Sequence, residues 1–122
     1  MRGPAPLAVR ERFDAELAAV RAARSDGRVS DAWGALEVAH IVSQPWVRLH
    51  LRAHAEMLLL AARTGDVREA LGQVLRLVVA APGSLSGRYP AGNTGRARIS
   101  MFAPMPVPDE LAELLEGHQA AG

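Results

Sequence analysis

Apolar residues recur along this chain with a helical period, in four blocks separated by glycine or proline. Val9, Phe13, Leu17 and Val20 form the first stripe, which starts near Pro6 in a first helical turn and stops at Gly27. The second helix starts at Val29, with Ser30 or Asp31 near its start, and ends before Pro45. Its Ala32, Trp33, Leu36, Ala39 and His40 share one side. Pro45 suits the first turn of a third helix running to about Thr64, with Trp46, Leu49, Ala53, Met57, Leu60 and Ala61 on one arc. Gly65-Asp66 makes the next break. Asp66 predicts an N-cap, and Glu69 three residues later completes a capping box. The fourth helix then has Val67, Ala70, Leu71, Val74, Leu77 and Val78 as its expected buried stripe, and Ala81-Pro82-Gly83 as its end.

From Pro82 to Pro108 the pattern is lost. This stretch is rich in Gly, Pro, Ser and Asn, with one short extended piece expected around Ala97 to Phe102. Tyr89, Ile99, Met101, Phe102 and Met105 are placed to anchor such an arm to the helices. A last short helix, Asp109 to Glu116, follows a Pro108-Asp109 cap. The fold expected is all-α: an antiparallel four-helix bundle over about 6–81, then a long ordered C-terminal arm and a short final helix over 82–122, all in one domain. A weak internal repeat matches Gly27 with Gly65, Val29 with Val67, Asp31 with Glu69 and Ala32 with Ala70. Helix–turn–helix repeats look like this, but two partial units do not make a solenoid.

Composition narrows the chemistry. All fourteen basic residues are arginine, so Schiff-base lysine chemistry and a P-loop lysine are excluded. The absence of cysteine excludes disulfides, thiolate metal sites and a cysteine nucleophile. A net charge of +1 gives no general pull toward nucleic acid or a membrane surface, and no apolar run reaches the ~20 residues of a membrane span. The N-terminus lacks a signal-peptide pattern, so the expected compartment is the cytoplasm.

Three of the four histidines crowd into residues 37–54, "EVAHIVSQPWVRLHLRAH". On helical wheels His40, His50 and His54 all point inward, with Glu37 at the edge, while Arg48, Arg52 and Arg63 take the opposite face. His40 and His50 are each roughly 6–8 Å along their helices from the 43–45 turn, at ~1.5 Å per residue. Glu37 and His54 lie one turn farther. Glu-x-x-His and His-x-x-x-His pairs converging on one spot suit a helix-borne metal site. Three inward imidazoles each need a polar partner, and a divalent transition metal (Zn, Fe or Cu) serves all three. Glu37 is then a fourth ligand or a general base. The competing reading is a structural or pH-sensitive histidine cluster. Glu16 borders the Phe13–Val20 face and either supports the site from a third helix or sits at the boundary in water. His118 is expected in solvent.

The loop "YPAGNTGRARIS" is the second candidate. A tight turn at Gly92, Asn93 and Gly95, with Arg96 and Arg98 beside it, suits a small anionic ligand, which Asn93, Thr94 and Arg96 would bind. Alternatively the loop closes the end of the bundle, with Asn93 and Thr94 bonding their own backbone. The arm leaves helix four on the side of the 43–45 turn, which favours Arg96 facing the histidines.

Over nearly its whole length the chain resembles an uncharacterised bacterial family known as domain of unknown function 3703. The resemblance rests on "FDAEL", "AWGALEVAHIVSQPWVRLHLRAHAEML", "LGQVLRLV", "GSLSGRYPAGNTGRARISMFAPMPVP" and "LAELL". It implies that Glu16, Glu37, His40, His50 and His54 belong to the family pattern, and it implies no activity. The leading expectation is a helical-bundle metalloprotein, with hydrolytic and oxidative enzyme chemistry both open. The alternative is a non-catalytic interaction module of tetratricopeptide-like type. A haem bound by two histidines comes third, because it would displace much of so small a core.

Overall fold

A computed structural model describes residues 3–86, 91–96 and 104–121 of the chain. The fold is all-α. Its helices are α1 (Leu7–Ser25), α2 (Val29–Ser43), α3 (Val47–Thr64), α4 (Val67–Ser86) and α5 (Asp109–Ala121). Packing follows chain order: α1 on α2, α2 on α3 and α3 on α4, with α5 against α1 and α2. Helices α1 and α4 make no close backbone approach to each other.

The glycine stops form two matching turns. Gly27 and Gly65 take φ of 75° and 74°, the left-handed region where a Cβ is costly. Behind them Arg28 N–H donates to the Ala23 carbonyl at 2.8 Å, and Asp66 N–H to the Ala61 carbonyl at 2.9 Å. The sequence repeat is thus a repeated C-terminal turn. Asp66 caps α4 as expected, its Oδ1 accepting from Glu69 N–H at 3.0 Å. The reciprocal half of the capping box is not made to Asp66, because the Glu69 carboxylate turns to Arg96.

Two apolar clusters hold the helices. Trp33, Leu36, Met57 and Leu60 pack with Val20 and Ala23. Phe13, Leu17, Ile41, Val42 and Ala53 pack with Leu111 from α5. Val9 and Trp46 form a smaller third cluster beside Leu114 and Leu115.

Three expectations are corrected. Pro6 is the N-cap of α1, and Pro45 sits in the turn before the Trp46 N-cap, so neither lies inside a first turn. Helix α4 continues past Ala81-Pro82-Gly83 to Ser86, and α5 past Glu116 to Ala121. Pro82 lacks an N–H, so continuing the helix forgoes the bond at that position.

The third correction is the face of α4. Val67, Leu71, Val74 and Val78 are exposed, and Ala70 and Leu77 are only partly covered. Glu69, Gln73 and Arg76 are buried instead. The helix is turned with its polar side inward because that side has partners there, described below. The extended piece around 97–102, the anchors Tyr89, Ile99, Met101 and Phe102, Arg98 and the His118 side chain lie outside the described residues. Met105 is partly buried, and its N–H donates to the Ala91 carbonyl at 3.0 Å.

Candidate metal centre

Helix α2 supplies His40 from its last turn, and α3 supplies His50 and His54 one turn apart on one face. All three rings are buried, 3–5% exposed. Their Nε2 atoms form a nearly equilateral triangle: 3.1 Å from His40 to His54, 3.2 Å from His50 to His40 and 3.2 Å from His54 to His50.

The outer nitrogens fix two of the tautomers. His40 Nδ1 lies 2.7 Å from the Asn93 carbonyl, which can only accept, so Nδ1 carries the proton. His54 Nδ1 lies 2.7 Å from Gln73 Oε1, while Gln73 Nε2 donates to the Gly95 carbonyl at 2.8 Å. His54 Nδ1 is therefore also a donor. Burial, reinforced by its two neighbouring histidines, holds His40 well below the ordinary imidazole range. Burial and His54 lower His50 to about 3. Burial also lowers His54 to about 4, with the Gln73 bond opposing and the Arg76 charge adding.

These facts collide. A neutral imidazole has one proton, and His40 and His54 have both placed it on Nδ1. Two bare lone pairs then face each other at 3.1 Å. No arrangement of protons on three mutually facing nitrogens gives every pair a donor and an acceptor, so the triangle cannot be a closed hydrogen-bonded ring. A cation at its centre would take all three lone pairs. The size fits: at the ~2.0–2.1 Å nitrogen distance of a zinc site, tetrahedral neighbours sit about 3.3 Å apart and cis octahedral ones about 2.9 Å. Carbonyl and amide partners behind the rings are what metal-binding histidines need to keep their orientation.

Loop 91–96 closes over this group. Gly92 N–H donates to Gln44 Oε1 at 3.2 Å, joining the loop to the 44–46 turn. Asn93 is buried, and its Oδ1 accepts from Gly95 N–H at 2.9 Å, a local turn that aims the Asn93 carbonyl at His40. Thr94 Oγ1 is buried without a hydrogen-bond partner. The Arg96 carbonyl accepts from Arg76 at 3.1 Å. The Arg96 side chain lies over Trp33, its Cζ 3.9 Å from the ring centroid. Its guanidinium bonds the Glu69 carboxylate and stands 3.6 Å from Glu37.

The three histidine ligand atoms lie within 4.8 Å of one another, and Glu37 is not in that group. The Glu37 carboxylate, half-buried and raised by desolvation against the lowering pull of Arg96, belongs to the Arg96–Glu69 cluster. Glu16 takes a bond from Arg12 Nε at 2.9 Å, and Arg12 also reaches Glu110 of α5. Asn93 and Arg96 come to the histidine end of the fold, but through protein contacts: the Asn93 carbonyl to His40, the Arg96 side chain to two carboxylates.

Sequence reasoning missed Gln73 and Arg76, and gave Glu69 only a capping role. A signal existed, since Glu69, Gln73 and Arg76 follow helical spacing opposite the apolar stripe. The usual amphipathic rule assigns such a face to water.

No curated protein and no solved structure matches the chain. A family model described as a protein of unknown function matches residues 7–115, which takes in the four long helices, the loop and most of the last helix, and on that match the chain belongs to the family DUF3703.

Proposed function

We propose that this protein binds one transition-metal ion per chain through Nε2 of His40, His50 and His54. One observation carries the reading: two imidazoles whose only protons are committed to Asn93 and Gln73 turn their lone pairs on each other at 3.1 Å. Three nitrogen donors suit Zn, Fe(II) or Cu(II). Burial of all three rings favours a site that keeps its ion.

The surrounding charge says what else the ion holds. Imidazoles are neutral ligands, so a dication keeps its full charge. Arg76 and Arg96 nearby are balanced by Glu37 and Glu69, leaving nothing over. A buried, uncompensated dication is costly, so the ion takes a small anion as its remaining ligand. Thr94 Oγ1, on the loop that covers His40, is a donor still available to that anion. In this reading Asn93 and Gln73 orient rings, Glu37 and Glu69 balance charge, and catalysis, hydrolytic or oxidative, would require loop 91–96 to lift.

The test is elemental analysis of untagged protein, followed by titration of metal-free protein with Co(II) as a spectroscopic probe. About one ion per chain is expected, with ligand-field bands that shift on adding azide. Metal-free protein whose spectrum shows no saturable Co(II) site, and which also gains no Zn, Fe(II) or Cu(II), would overturn the proposal.

A further inference from the structure

Helix α4 turns inside out the usual rule for a surface helix. At 100° per residue, Val67, Leu71, Val74, Leu75 and Val78 fall within an arc of about 100°. All five are between 50% and 71% exposed. Glu69, Gln73 and Arg76 lie on the opposite arc and are buried. The inward polar face is explained by His54, the Gly95 and Arg96 carbonyls and the Arg96 side chain. Among the described residues the outward apolar face has no such account, because α1 makes no close approach to α4 and α5 packs against α1 and α2.

We propose that this face is the interface between two copies of the chain, paired α4 against α4 about a two-fold axis. Three features favour a second copy. Val67, Leu71, Val74 and Val78 follow a 4-3-4 spacing, the seam that packs one helix against another. The five residues expose about 500 Å² per chain, so a pair that covers all of it buries on the order of 1,000 Å², at the lower bound for a specific interface. Arg68 is the charged residue at the edge of the stripe, among the exposed positions described on α4. Antiparallel pairing centred near Leu71 and Val74 holds the two Arg68 side chains about 13 Å apart at ~1.5 Å per residue, so like charges do not meet. A lipid surface fits less well, since the stripe has no aromatic residue and only that one flanking cation. The proposal is independent of whether the histidines hold a metal.

Sedimentation equilibrium of the native chain at tens of micromolar is expected to give about twice the 13.0 kDa chain mass. Val74→Glu and Leu71→Glu are each expected to shift it to monomer. Both positions are exposed, so helical circular dichroism should be unchanged. The chain has no cysteine, so Val74→Cys adds a single handle. A short bismaleimide should link it to a covalent dimer, while Ala18→Cys on the exposed side of α1 should give none. A monomeric native chain overturns the proposal, and if it also co-sediments with phosphatidylglycerol vesicles the face is a lipid contact. A dimer insensitive to both glutamates, or equal cross-linking at positions 18 and 74, overturns it too.

Discussion

Gly95 lies against the imidazole of His40 with no room for a side chain between them. A Cβ at Gly95 would come within 2.7 Å of His40 Cδ2 and 2.9 Å of Nε2, and the residue takes φ of 84°. Gly95→Ala therefore meets two obstacles, a left-handed backbone and a ring held from behind by Asn93. Gly27 separates them, because it has φ of 75° but nothing within 4 Å of its Cβ position. Gly27→Ala should cost about 1 kcal/mol, the backbone term alone. Gly95→Ala should cost about 1–3 kcal/mol and also lower metal affinity. Chemical denaturation and Co(II) titration of both variants check this. Equal losses of stability with unchanged Co(II) binding would show that the loop does not press on the ring.

Gln73 acts on the site through His54. Its Oε1 holds Nδ1–H, and its amide is anchored on the Gly95 carbonyl. Gln73→Leu leaves both buried groups unpaired, which should cost about 1–3 kcal/mol. It also frees the His54 tautomer, so metal affinity should fall on the order of 10- to 100-fold. His40→Ala, His50→Ala and His54→Ala should each abolish tight binding. His118→Ala should not, and a loss there equal to the others would point to nonspecific binding.

The inward placement of His40, His50 and His54 could be read from the sequence because each lies on the apolar arc of its own helix, and the 44–46 turn makes the two helices neighbours. Glu37 could not be placed the same way. It lies one turn before His40, so spacing alone offers it to the site, but a charged loop residue nearly sixty positions away competes for it. Helix α4 was misread for a related reason. Its apolar stripe is better defined than its polar one, and nothing local reveals that Glu69, Gln73 and Arg76 have buried partners on a loop beyond the helix. Asn93 and Gly95 serve the site through backbone carbonyls, which leave no mark in side-chain type.

Acid should weaken the metal-free protein early. Burial lowers His50 to about 3 and His54 to about 4, and it lowers His40 as well, while unfolded histidines titrate near 6.5. Below that value the unfolded chain binds protons that the folded chain refuses, so stability falls as pH drops. The stabilising contribution is complete above about 6.5 and is lost progressively down to the folded values. Urea midpoints of metal-free protein should decline between pH 7 and 4, and His50→Gln should flatten that slope. A midpoint independent of pH in the native chain would mean the rings are already protonated or exposed.

Arg96 joins three elements: Trp33 and Glu37 on α2, Glu69 on α4 and its own loop. Were the arm mere packing, Arg96→Ala would fall within about 0.5 kcal/mol, as surface changes do. The contacts require more. The Glu69 side chain is 3% exposed, and removing the guanidinium takes away the charged group that bonds this buried carboxylate, leaving the Arg76 charge nearby. Arg96→Ala should therefore cost about 1–3 kcal/mol. Lys cannot reproduce a planar group stacked on an indole and shared by two carboxylates, so Arg96→Lys should recover little. Part of the loss comes from a buried carboxylate that has lost its bonded cation, so adding Glu69→Gln to Arg96→Ala should return some of it, a non-additivity that a double-mutant cycle measures. Strictly additive losses would show that Arg96 and Glu69 stabilise the fold separately, and that the loop is held over the histidines by its backbone bonds to His40, Gln44, Gln73 and Arg76.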